Sequence, residues 1–315
     1  MPSYLNEVTQ TLWTYAEQHH EGELDGGKRR ERPPVLAKQF CSKNVLVPQD
    51  GIRDQAIRAA LPVRQHHQWF RSLKSSQALA QSVFAAIHVF NRLDLLKGLP
   101  AECGRPAFFL DQRDWRIDLE YNLQTLKEPK PTSVDVLLHR PSHRVAIECK
   151  FIETEFGTCS RPLLCTNHAY YCDGSYRRQK ERLHRCALTE RGILYWDYLP
   201  CLFNWPYDHD HVPCPFDATY QLARNALAAT LTPEGDFNPD TGHLLIVYDD
   251  RNPAFQPNGR AWTQWQAAVG DCRYQGLMRR LSWQRLLASL ANAPEFEYLV
   301  NGLGKKYGLV QQQAL

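Results

Sequence analysis

Three ionisable residues in the middle of the chain have the types and spacing for metal-assisted hydrolysis. They are Asp135 and, after twelve intervening residues, Glu148 and Lys150 flanking Cys149. They fall in two short apolar runs, 133–139 and 144–151, separated by Arg140-Pro141-Ser142-His143, which is turn chemistry. Alternation along 144–151 sends Val145, Ile147, Cys149 and Phe151 to one side and Ala146, Glu148 and Lys150 to the other. With 140–143 as the loop, His139 faces Arg144 and, counting back, Asp135 faces Glu148. Directly opposed Cβ atoms lie about 4.5–5.5 Å apart. Two carboxylates that close repel unless a cation lies between them, and hard oxygen donors favour Mg²⁺ or Mn²⁺. The chemistry that fits is phosphodiester hydrolysis, with Lys150 stabilising developing negative charge or orienting the attacking water. A one-residue slip in the loop would turn the register over, so the turn is the critical joint. A second Glu-x-Lys triplet, Glu128-Pro129-Lys130, carries proline where a strand needs a ladder amide, and is set aside.

The flanking elements must hold that hairpin. Ser75 or Ser76 can cap a helix over 76–97 whose stripe is Leu79, Val83, Ile87 and Phe90, with Gly98 and Pro100 closing it. Ile117, Leu119, Tyr121 and Leu123 alternate with polar residues, predicting a strand over 116–123 with those four on one face. A helix follows at 219–230, where Gln221 and Asn225 share a face with Arg224, and a buried strand at 244–248. Residues 1–74 read as an N-terminal arm that opens with a short helix over 1–15 and has a polar loop at 22–32. Residues 152–215 read as a Cys-rich insertion with one basic helical patch, and 261–315 as C-terminal helices carrying Leu277, Leu281, Leu286 and Leu290. The order is α-β-β-β-(insertion)-α-β-α-α, an α/β fold with a mixed central sheet in one domain, 1–315, whose core is 75–260.

Composition narrows the setting. The 315 residues are 43% hydrophobic and 23% charged, enough for a full core and too apolar for wholesale disorder. No apolar stretch approaches membrane-spanning length, and the N-terminus lacks the pattern of a signal peptide, so a cytoplasmic protein without membrane attachment is expected. A net charge of +3 hides local patches. Arg177, Arg178, Lys180, Arg182 and Arg185 carry five positive charges after Tyr170, Tyr171 and Tyr176, a pattern suited to DNA backbone contact. Ten cysteines in an intracellular chain read as reduced thiols or a metal site. Cys159, Cys165, Cys172 and Cys186 form a candidate four-thiolate Zn²⁺ site, with His168, His184, His209 and His211 as further candidates, although none of the cysteines forms the tight pair typical of such sites and buried thiols filling the insertion are the alternative. Cys149 belongs to the apolar side of its strand and is expected in the core.

Asp135, the twelve-residue gap and Glu148-Cys149-Lys150, on a hairpin behind a helix and a strand, resemble the PD-(D/E)XK nuclease superfamily. Ser75-Ser76-Gln77-Ala78-Leu79, Tyr220-Gln221-Leu222-Ala223-Arg224-Asn225 and Val247-Tyr248-Asp249-Asp250-Arg251-Asn252-Pro253 are similar to a bacterial branch of restriction endonucleases within it. The resemblance covers about residues 70–260. It implies a restriction-endonuclease-like α-β-β-β-α-β core, a Mg²⁺-dependent deoxyribonuclease of restriction or anti-phage type, metal ligands at Asp135 and Glu148, and a catalytic lysine at Lys150. Val134 stands where the motif has proline. The first helix offers Gln77 and Gln81 where many members carry an acid, and Asp94 only near its end, which leaves Glu120 as a candidate substitute and Gln221 as a candidate lining residue. Many members act as dimers, so a homodimer is one expected assembly. Two other readings stand beside this one: a repair or recombination nuclease acting on branched or damaged DNA, and a nucleic-acid-binding module without turnover.

Overall fold

The β-hairpin reads out as the sequence dictates, and the rest of the chain is arranged around it. The computed structural model describes residues 3–26, 30–109, 111, 114–141 and 143–310. Among the described residues five strands form one sheet in chain order: β1 (Arg116–Leu123), β2 (Thr132–Arg140), β3 (His143–Cys149), β4 (Gly242–Tyr248) and β5 (Met278–Ser282). β1 to β3 are antiparallel, whereas β3, β4 and β5 are parallel, so the sheet is mixed. His139 faces Arg144 as expected. Arg140 and His143 also pair, which shortens the connection to 141–142 without changing the register. Ser142 of the expected turn lies outside the described residues. So do residues 1–2 of the expected first helix and 27–29 of the expected polar loop.

The helices are α1 (Tyr4–His19), α2 (Gly51–Ala60), α3 (Ser76–Val89), α4 (Ala187–Glu190), α5 (Tyr195–Leu202), α6 (Pro215–Ala218), α7 (Tyr220–Thr230), α8 (Arg260–Asp271), α9 (Trp283–Leu290) and α10 (Glu297–Tyr307). One sheet face, through Val136, Leu138, Val145, Ile147 and Cys149, packs with α1, α3, α9 and α10. The other, through Leu137, Ala146, Leu244 and Ile246, packs with α5, α7 and α8. Cys149 is buried in the first layer, as its strand position requires. The N-terminal arm is part of that layer too, because Leu12 and Ala16 of α1 are fully buried in it.

Several expected elements change. Ser75 does cap α3, its Oγ accepting from the Ala78 amide at 3.2 Å. The helix stops at Val89, not 97, because Asn91 turns into the left-handed region (φ 52°) and a short 3₁₀ turn, Leu93–Leu96, follows. The basic stretch 177–185 has turns and bends in place of the expected helix. Leu277 and Leu281, spaced for a helix, are instead buried just before β5 and in its body, where the backbone pairs with β4. A four-residue spacing of two leucines cannot distinguish a buried helix from a buried strand beside a helix.

The face expectation for β1 also fails, in an informative way. Ile117 and Leu119 face the α3 layer, but Tyr121 and Leu123 face the α7 layer. Between them Glu120 adopts a left-handed backbone (φ 52°). β2 switches faces at the same level, with Val134 in one layer and Val136 in the other. The recorded pairs step from Leu119↔Val136 to Tyr121↔Val134, so the rung that would join Glu120 to Asp135 is missing. Two strands are thus broken together beside the β2–β3 hairpin.

Candidate active site

The broken rung gathers the acids. Register places Glu120 of β1 level with Asp135 of β2, and Asp135 level with Glu148 of β3, so three carboxylates lie side by side across three strands. The β2–β3 ladder ends at Val136↔Ile147, and the Asp135 carboxylate takes the next free amide, accepting from Cys149 N at 2.7 Å. Burial, then repulsion from Glu148 and Glu120, holds the Asp135 pKa well above its ordinary value. Burial likewise pushes Glu120 up to about 7, with Glu148 adding to the rise, while hydrogen bonds from Gln77, Gln81 and Ser133 oppose it. Gln77 and Gln81, which take the place of a helix acid, therefore hold one that comes from the strand.

Glu148 and Lys150 are nearly buried, 4% and 6% exposed. Lys150 Nζ lies 2.8 Å from Glu148 Oε1 and donates to Gln221 Oε1 at 2.9 Å. Burial disfavours the ammonium, but Glu148, Glu153 and Asp135 more than offset this and the Lys150 pKa is raised, so it stays charged. Gln221 Nε2 donates to Glu148 Oε1 at 2.7 Å, and Asn225 Nδ2 to Oε2 at 2.6 Å. These two residues lie one turn apart on α7 and present their amides to one carboxylate. The Lys150 backbone is held as well: its amide donates to Val247 O at 2.7 Å and its carbonyl accepts from Trp283 Nε1 at 2.9 Å.

Two openings adjoin this core. Glu120 lines a cleft of about 370 Å³ together with Gln65, His88 and Asn122. A second cleft, about 580 Å³, lies between the N-terminus of α3 and the segment after β3, and includes Arg32, His67, Trp69, Lys74 and Glu153. Trp69 is 62% exposed. Glu153 accepts from Ser76 Oγ at 2.6 Å, tying that segment to α3. Sequence reading did not find this cleft, because an exposed tryptophan and a buried one look alike in a sequence.

The expected residues divide cleanly. Asp135, Glu148, Lys150, Glu120 and Gln221 come together with Asn225. Arg224, on the same helix, turns away to Glu128 at 2.7 Å and Thr132 at 3.0 Å, which also accounts for Glu128 of the discarded triplet. Asp249 is buried among Tyr4, Arg251 and Gln284 and serves the loop after β4. In the basic stretch, Lys180 donates to the Thr166 and His168 carbonyls, Arg182 to those of Gln179 and Tyr171, and Arg185 pairs with Asp210. Those three bond within the insertion, and Arg177, Arg178 and Lys180 are exposed. Among the four expected zinc ligands Cys165 is exposed and stands apart, whereas Cys159, Cys172 and Cys186 meet Cys214 around one small cavity. Among the described residues, no group of three or more His, Cys, Asp or Glu side chains is already posed around a metal position. No helix among them is long and apolar enough to cross a membrane.

Fold and site together define an α/β protein whose mixed sheet gathers acids and a lysine at a strand break, between two helical layers. The chain belongs to the family described as restriction endonuclease associating with ARP, whose model matches residues 7–308. That family assigns it to the nucleases, with DNA as the substrate. No curated protein and no solved structure matches it.

Proposed function

We propose that the chain is a metal-dependent DNA endonuclease of the PD-(D/E)XK type, acting in restriction or anti-phage defence. The observation that carries this reading is the set Glu120, Asp135 and Glu148 at one level of the sheet, with Lys150 2.8 Å from Glu148. The donor set suits a hard divalent cation: all oxygen, no thiol or imidazole, and more buried negative charge than one lysine neutralises. Asp135 and Glu148 would hold Mg²⁺ or Mn²⁺, with Glu120 as the third carboxylate. A cation bound there supplies Lewis acidity and a water of lowered pKa.

The protein's own part follows from its contacts. Lys150 carries a fixed positive charge to the place where phosphoryl oxygens gain negative charge. Gln221 holds that ammonium and the Glu148 carboxylate together, and Asn225 fixes the other Glu148 oxygen. The cleft at Arg32, Lys74 and Trp69 offers cations for phosphates and a ring for a base beside this centre.

Plasmid, branched and single-stranded DNA, each incubated with Mg²⁺ and with EDTA, tests the reading. Plasmid cleavage with Mg²⁺ only, lost in Glu148→Ala and Lys150→Ala while DNA binding persists, is the expected result. Unchanged cleavage by either variant overturns the site, and cleavage confined to branched DNA replaces restriction with repair.

A further inference from the structure

The insertion between β3 and α7 has little regular structure, yet four of its cysteines meet. Cys159, Cys172, Cys186 and Cys214 line one small, partly open cavity of about 20 Å³, together with Tyr176 and Phe216. Space of that size holds a single ion or water. A water there needs several polar partners, and thiols are weak ones.

The sulfurs are already addressed by the backbone. The Arg161 amide donates to the Cys159 sulfur. The Leu188 and Thr189 amides donate to that of Cys186, and the Phe216 and Asp217 amides to that of Cys214. The Cys172 thiol donates to Ser175 O at 3.4 Å, and Gln179 Nε2 approaches its sulfur at 3.9 Å. Burial dominates and raises the pKa of Cys159, Cys186 and Cys214, so without a cation they are held as thiols; the amides, which come from separate segments of chain, oppose that rise in part, and a bound cation would draw the protons off. All four residues are free cysteines.

We propose that Cys159, Cys172, Cys186 and Cys214 bind one structural Zn²⁺ as a four-thiolate site. Four soft sulfur donors select Zn²⁺ over the hard cation suited to the carboxylates, and the cavity is too small for an iron–sulfur cluster. Among the described residues no three such side chains are already posed around a metal position, so binding requires the four thiols to turn toward the cavity they line. The position of the site gives it a purpose. Cys159 lies two residues after Gly157, whose amide donates to Gln221 Oε1 at 3.0 Å, and its own amide donates to Asp217 O at 3.1 Å. Cys214 precedes α6, which leads directly into α7. A metal here clamps the two ends of the insertion together beside the helix that carries Gln221 and Asn225.

The test is independent of nuclease activity. Full-length protein, purified under reducing conditions without a metal-affinity step, is analysed for zinc and iron by mass spectrometry, and its thiols are titrated with a mercurial while a chromophoric chelator reports released zinc. About one zinc per chain is expected, released as about four thiols react. Replacement by Co²⁺ is expected to give the thiolate charge-transfer bands of a tetrahedral sulfur site. Cys214→Ser and Cys172→Ser lose the metal, while Cys165→Ser and Cys201→Ser keep it. Should the first two variants fail to fold, the wild-type titration and cobalt spectrum still decide. Wild-type protein that stays metal-free after exposure to zinc overturns the proposal. So do iron in place of zinc, disulfides among the four, and equal loss in Cys165→Ser.

Discussion

Glu148 is the most heavily engaged carboxylate of the candidate site, held by Lys150, Gln221 and Asn225. Asn225 touches only the Glu148 oxygen that Lys150 does not, so it is a positioning residue. Asn225→Ala is therefore expected to lower cleavage about ten- to hundred-fold and to raise the Mg²⁺ concentration needed for half-maximal rate, as loss of an outer partner of a metal ligand does. A Mg²⁺ titration of both proteins checks this. A lower rate with an unmoved metal midpoint would assign Asn225 to folding alone. Glu120→Gln is the companion experiment, since it keeps the shape and the Gln81 contact while removing one negative charge. In the same titration it should raise the Mg²⁺ concentration needed for half-maximal rate without lowering the melting temperature, because the buried carboxylate it replaces is itself destabilised by burial.

At the scale of elements, the site depends on how α7 lies across β3 and β4. Gly242 begins β4 opposite Arg144, and a Cβ there would overlap the Ala229 carbonyl near the end of α7. Gly242→Ala should cost about 1–3 kcal/mol, read by urea unfolding, because a rigid backbone group must move. Cleavage per folded molecule should fall with it as Gln221 and Asn225 shift; a destabilised but fully active variant would show that α7 does not position the site. The second cleft makes a different prediction. Trp69→Ala removes an exposed ring that packs little, so stability should hold while affinity for single-stranded DNA falls by about five- to a hundred-fold, the worth of one stacked base. Fluorescence anisotropy measures it, and unchanged affinity would take the DNA path elsewhere.

The whole molecule is closed by α10 packing on the N-terminal region, with an unusual buried charge at the seam. Lys306 Nζ donates to Asn44 O at 2.6 Å and Asn44 Oδ1 at 2.7 Å, with His20, Tyr15 and Tyr307 around it. Burial lowers its pKa from 10.5 to about 7. Between those values the unfolded chain holds the extra proton, so stability rises with pH across that window, and the deficit is complete below about 7. Urea midpoints of wild type should therefore gain on those of Lys306→Met between pH 7 and about pH 9. Parallel curves for the two proteins would show that Lys306 does not titrate in this window.

The sequence by itself determined the hairpin, its register and the three residues at its centre. Strand alternation and a short turn are local rules, and they fix Asp135 level with Glu148 once His139 faces Arg144. Ser75 as a helix cap and Cys149 as a core residue follow from equally local chemistry. Tertiary structure decided what depends on partners distant in sequence. The left-handed turn at Glu120 reverses the faces of Tyr121 and Leu123, and no pattern of alternation announces it. β5 became a strand because β4 offered a free edge, and Lys180, Arg182 and Arg185 bond within the insertion because carbonyls and Asp210 lie within reach. Cys214 replaced Cys165 around the sulfur-lined cavity for the same reason. Spacing along a chain ranks neighbours by sequence distance, whereas an irregular insertion has no period that converts sequence distance into position in space.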